Sequence, residues 1–159
     1  MGVTPSTRAE PHTDAFTLLY RSQRDRLGRV AYLMTGQAAV AEDLVHDAFV
    51  RLHRHRGTVE QPAAYLRTIL VNLCLAWRDR TAMARQREPR SGGWVEQPEI
   101  DETWELLASL PRDQRVALVL RYYEDLPVDE IAVVMSCRPA TVRTRIHRAL
   151  SKLRKEMTP

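Results

Sequence analysis

One pattern constrains this chain more than any other: residues 126–155, LPVDEIAVVMSCRPATVRTRIHRALSKLRK. It reads as two helices joined by a tight turn. In the second helix Val142, Ile146, Ala149, Leu150 and Leu153 recur at the spacing of a buried face. Arg138, Arg143, Arg145, Arg148, Lys152, Arg154 and Lys155 fill the remainder, opposed only by Glu156. Ala132 is small where the two helices must cross, and Pro127 suits the first helical position, where its missing N–H costs nothing. A basic helix presented by a shorter helix and a turn fits a DNA major groove. The pattern therefore predicts a helix-turn-helix that binds nucleic acid.

The bulk properties agree with this reading and exclude others. The 159 residues are 44% hydrophobic, which suits a globular chain, and the net charge is +4. That excess is modest; its concentration near the C-terminus is the electrostatic footprint of a phosphate backbone. Cys74 and Cys137 are far apart and have no ligand spacing, so neither a disulfide framework nor a zinc site is expected. Cys74 lies in an apolar run, where a free cysteine serves as a small hydrophobe. His46, His53 and His55 lack third and fourth metal ligands, and Arg51, Arg54 and Arg56 crowd them with positive charge. No run reaches the about 18 apolar residues of a membrane span, and the N-terminus has no signal-peptide core. The expected setting is a reducing cytoplasm, without membrane insertion. No nucleophile–base pair, Gly-rich phosphate loop or metal quartet points to catalysis, and no cofactor is implied.

Along the chain every periodic segment is helical, and no alternating strand pattern competes. Residues 1–13 read as a flexible tail. Asp14 caps a helix that Gly36 ends, with Phe16, Leu19, Leu27, Val30 and Met34 along one side. A second helix over 39–54 buries Leu44, Val45, Ala48, Phe49 and Leu52, leaving Glu42, Asp43, Asp47 and Arg51 on the other side. A third runs from Pro62 to about Arg80, with Leu66, Ile69, Leu70, Leu73 and Trp77 as its apolar set. Residues 81–98 contain an arginine run, Pro89, Ser91-Gly92-Gly93 and Pro98, and read as a flexible linker. Further helices are expected over 100–109 and 111–123, ahead of the helix-turn-helix. The fold class is all-α: two small helical domains, 14–80 and 99–159, joined by that linker. Each buries little surface for its length, so docking to a larger partner suits the design.

Three segments, AYLMTGQAAVAEDLVHDAF, AYLRTILVNLCLAWRDR and LPRDQRVALVLRYYEDLPVDEIAVVMSCRPATVRTRIHRALSKLR, together resemble the extracytoplasmic-function (ECF) sigma factors of bacterial RNA polymerase. The likeness is strongest to the SigE-like actinobacterial branch of the sigma-70 family. It covers nearly all of the chain outside the tail and linker. It implies a sigma region 2 domain that binds core RNA polymerase and melts promoter DNA at the −10 element, and a region 4 domain that binds the −35 element. It also implies an anti-sigma factor as a further partner.

The resemblance also implies roles. Glu42, Asp43 and Asp47 would form the polymerase-binding surface. Asn72 would read an extruded −10 base through its amide, with Arg67, Arg78 and Arg80 on nearby phosphates. Arg143 and Arg145 are the expected base-reading arginines of the −35 contact, since arginine can pair bidentately with guanine. Arg138, Thr141, Thr144 and Arg148 would hold phosphates, and His147 fits either role. The chain departs from the family at Ser136, where glycine is usual and positive φ is favoured, and at Arg138, where a capping serine is common; each change costs about 1 kcal/mol. The loop 55–61 is short and has no aromatic to form a base pocket. The rival reading is a stand-alone helix-turn-helix regulator, which would bind a palindromic site without polymerase.

Overall fold

The computed structural model describes residues 14–55, 57–77, 93–98 and 101–158. Among them are seven helices and no strand. They are α1 (Ala15–Thr35), α2 (Ala38–His55), α3 (Pro62–Ala76), α4 (Glu102–Ala108), α5 (Arg112–Tyr122), α6 (Val128–Val134) and α7 (Pro139–Met157). Helices α1 to α3 pack on one another as the first domain, and α5, α6 and α7 as the second.

The local signals act as expected at α1. The Asp14 side chain accepts from the Phe16 N–H at 3.4 Å, and Gly36 ends the helix in the left-handed region at φ 75°. Pro62 opens α3. The third helix stops at Ala76, short of the expected Arg80, because Trp77 turns extended (φ −66°, ψ 119°). Its ring there lies under the Arg112 guanidinium, 5.5 Å away. Arg78 and Arg80 lie outside the described residues.

The two domains share one continuous apolar core. From Leu27 to Thr35 every residue of α1 except Arg29 is buried. A helix on a domain surface buries one stripe; this one is covered on both sides, by α2 and α3 and by α4 and α5. Two close approaches make the second contact possible. At Gly28 a Cβ would stand 2.5 Å from the Trp94 ring and 2.9 Å from Val95 Cγ2, and at Gly36 it would stand 2.0 Å from the Trp104 ring. A mid-helix glycine such as Gly28 costs about 1 kcal/mol relative to alanine, and here it gives residues 94–95 a seat.

Gly36→Ala meets both a positive φ and the Trp104 ring. It is expected to destabilise the chain by about 2 kcal/mol or more, read as a lower urea midpoint. An unchanged midpoint would show that Trp104 is not seated on α1.

Candidate nucleic-acid interface

The helix-turn-helix turns at Ser136, whose φ is 52°. The backbone is thus left-handed where the sequence departs from glycine, and the Ser136 N–H to Val133 and Cys137 N–H to Ala132 hydrogen bonds hold it there. Pro127 sits one position earlier than expected, as the N-cap of α6, while Pro139 takes the first turn of α7. Arg138 occupies the N-cap of α7 with no side-chain cap bond. The α7 stripe packs as the periodicity requires: Val142 and Ala149 are buried, and Ile146, Leu150 and Leu153 pack against the core.

Arg138, Arg143, Thr144, His147 and Arg148 are exposed. Spacings of four place Arg143 with His147 and Thr144 with Arg148, so these side chains share one free face. Thr141 is half-buried. Arg145 lies at the edge of that face, half-buried. Its side chain is 25% exposed, with Nη2 3.2 Å from Asp113 on α5 and Nη1 donating to Cys137 Sγ at 3.7 Å. This arginine ties α7 to α5 and to the turn. Farther along α7, Lys152 donates to the Ser109 carbonyl and Glu156 accepts from the Ser109 hydroxyl at 2.8 Å, fixing the other end of the helix.

In the first domain the expected residues fall into three groups. Asp43 is half-buried and Asp47 exposed on α2, and neither is in a salt bridge among the described residues. Glu42, expected beside them, is instead 1% exposed, and its Oε1 accepts the Val95 backbone N–H at 2.8 Å. Period 3.6 turns Glu42 one step inward, under residues 94–95. On α3, Asn72 is exposed and shares a helical stripe with Tyr65 and Thr68. Tyr65 also lines a shallow cleft with His55, Thr58, Glu60 and Gln61. An aromatic side chain thus stands beside the loop, from the helix that follows it. Arg67 lies on another face of α3 and pairs with Glu124, Nε to Oε2 at 3.3 Å.

Several charged residues with structural roles were not anticipated. Arg29 grips Asp101 with both terminal nitrogens, at 2.6 and 3.3 Å. That bond holds the Asp101 carboxyl below its ordinary value and raises the Arg29 guanidinium. Arg26 Nε bonds Glu124 at 2.9 Å. Arg112 and Arg115, near one end of α5, reach the C-terminal ends of two helices of the other domain. Arg115 donates to the Met34 carbonyl at 3.2 Å and Arg112 to the Leu75 carbonyl at 3.5 Å. Helix C-termini present unpaired carbonyls and partial negative charge, so arginines suit these places. Arg115 also stacks on Trp104 at 4.9 Å, and burial pulls its guanidinium below the ordinary value. The sequence signal for these contacts was thin: charges inside LPRDQR and YYEDL that no helical face required. Burial pushes the Cys74 thiol up to about 12, as expected of a cysteine used as a hydrophobe. Among the described residues no group of three or more His, Cys, Asp or Glu gathers as a metal site, and no helix is long and apolar enough to cross a membrane.

Comparisons with known proteins agree with this geometry. The family model described as sigma-70 region 2 matches residues 19–83, and that described as sigma-70, region 4 matches residues 100–153. The chain is 32% identical over 154 residues to the ECF RNA polymerase sigma factor SigE of Mycolicibacterium smegmatis, an alignment covering 86% of this chain but only 59% of that protein. It is 28% identical over 150 residues to the RNA polymerase sigma-E factor of Streptomyces coelicolor, covering 86% of this chain and 82% of that one. Its fold matches that of the sigma factor RpoE of Bartonella quintana, crystallised with the anti-sigma factor NepR, with a TM-score of 0.67 at 20% identity over 91% of this chain and 98% of that one.

The Asp101–Arg29 bond carries a pH dependence of defined sign. A carboxylate with a lowered folded pKa stabilises fully above its unfolded value, and loses that contribution as pH falls through the folded one. The stability difference between wild type and Asp101→Asn should therefore be flat above the ordinary Asp value of 3.8 and shrink below it. Denaturant titrations across that range check this; a difference that grows on acidification would remove the bond from the account.

Proposed function

The chain belongs to the ECF sigma factors of the sigma-70 family, and we propose that it acts as a promoter-specificity subunit that binds core RNA polymerase and directs transcription initiation. One observation carries the reading: both sigma regions match in order on a single chain, 19–83 and then 100–153. A stand-alone regulator needs the second region and has no use for the first.

In this reading residues 14–80 form the polymerase-binding and −10 domain, 81–98 the linker, and 99–159 the −35 domain. Core polymerase docks on the outer face of α2 through Asp43 and Asp47. Glu42 serves that surface indirectly, by anchoring Val95 beneath it. The −10 base meets the exposed stripe of α3, where Asn72 supplies paired donor and acceptor and Tyr65 supplies a stacking surface. Arg67, Arg78 and Arg80 hold phosphates of the melted strand. The −35 duplex receives the free face of α7. Arg143 reads a base, His147 lies beside it, and Arg138, Thr141, Thr144 and Arg148 hold the backbone. Arg145 contributes by fixing α7 against α5, so that the reading face keeps its angle. The protein works by binding rather than by catalysis, in the cytoplasm, where its polymerase is. An anti-sigma factor is a further partner, by likeness to the Bartonella protein crystallised with one.

Arg143→Ala is expected to cost about 1–3 kcal/mol in −35 binding and to relax specificity at one base pair, measured with a panel of promoter duplexes. Arg145→Ala should weaken binding to all duplexes alike while lowering thermal stability; loss confined to one base pair would make Arg145 the reader instead. Asp47→Arg should abolish co-elution with core polymerase at unchanged helix content, and intact co-elution would remove Asp47 from the interface.

A further inference from the structure

Glu124 lies in the turn after α5, next to Asp125, whose φ of 52° bends the chain sharply. Its side chain is 2% exposed. Each carboxylate oxygen is taken by one arginine of the other domain: Oε1 by Arg26 Nε at 2.9 Å, from α1, and Oε2 by Arg67 Nε at 3.3 Å, from α3. Two guanidinium groups converging on the two oxygens of one anion is also how arginines hold the non-bridging oxygens of a phosphodiester. Both arginines border solvent, with side chains 48% and 24% exposed. Without Glu124 they would face outward as a cationic pair.

We propose that Arg26 and Arg67 form a binding site for a phosphate of the nucleic-acid backbone, and that Glu124 fills this site in the free chain as a built-in phosphate mimic. This rests on the sigma-factor reading and extends it. Arg26, which no motif singled out, becomes a DNA contact. Docking of the C-terminal domain then competes directly with strand binding on the first domain. The competition is selective. The α7 face of Arg143, Thr144, His147 and Arg148 and the α3 stripe of Tyr65 and Asn72 stay open in the docked chain; the arginine pair is shut by Glu124. A strand that engages the pair must displace Glu124, and so favours separation of the two domains. The remaining docking contacts, Arg29 on Asp101 and Arg115 on the Met34 carbonyl, hold the closed state and set how much affinity the mimic withholds.

The test uses the full chain and a short mixed-sequence single-stranded DNA, with binding read by fluorescence anisotropy across a salt series. Glu124→Gln keeps the shape and removes the charge. It should tighten binding about tenfold, as a competent state becomes populated. Adding Arg26→Gln to that variant should abolish the gain and lower the slope of log affinity against log salt by about 0.7, the share of one single-strand phosphate. Asp125→Asn removes the same charge one residue away and should shift affinity less than twofold. If circular dichroism shows Glu124→Gln to have lost helix, Asp101→Asn releases the docking from another ion pair and should give the same Arg26-dependent gain. Affinity unchanged in the releasing variant, a gain that survives Arg26→Gln, or an equal gain from Asp125→Asn would overturn the proposal. Core-polymerase co-elution of wild type is scored in parallel. Its failure would count against the sigma-factor reading itself, whereas intact co-elution with any of those three results would sink the phosphate site alone.

Discussion

The second half of α1 is the element on which the rest of the structure depends. Between Leu27 and Thr35 only Arg29 escapes burial, and that side chain is spent on Asp101. A three-helix domain of this length buries too little surface to be robust alone. Here its first helix is also the wall against which the second domain packs. The two domains are distinct in their sequence matches and yet share one core. Burying α1 on both sides requires that something come close to its backbone. Gly28 and Gly36 permit this by leaving room for Trp94, Val95 and Trp104.

Charge then fixes the register of that contact. Apolar burial is non-directional and would allow the second domain to slide along α1. Arg115 and Arg112 remove the freedom by finding the ends of α1 and α3, where unpaired carbonyls cluster. Asp101 and Glu124 return the favour from the second domain to arginines of the first. Each partner is directional and partly buried, so a shifted dock would strand charges away from water. The outer face of α2, the α3 stripe of Tyr65 and Asn72 and the free face of α7 remain outside this contact. A chain organised in this way can be compact at rest without hiding the free face of α7.

Much of this was legible in the residues. Periodicity gave the helices, Asp14 and Gly36 gave the bounds of α1, and the positive φ at Ser136 follows from where glycine would stand. These are local properties, decided within a turn or two of chain. What the residues did not reveal is pairwise and distant. Arg145 is expected in the groove from its place on α7, and in the free chain it pairs with Asp113 of α5. Glu42 lies one helical step inward of Asp43 and Asp47, and only the folded chain shows that residues 94–95 cover it. Arg67 is a phosphate contact only by resemblance, and the folded chain pairs it with Glu124. In each case the deciding partner lies far away in sequence, and no spacing rule reaches it. Likewise, α3 ends at Ala76, and Trp77 stands beneath the distant Arg112.

In this structure the free chain is one docked body rather than two domains on a tether, and small-angle X-ray scattering tests that most directly. A single compact chain of 159 residues has a radius of gyration of about 15 Å. The account predicts a value near this, with a single-peaked pair-distance distribution, and an increase on Asp101→Asn. A wild-type distribution with two resolved peaks and a markedly larger radius, unmoved by that substitution, would contradict it.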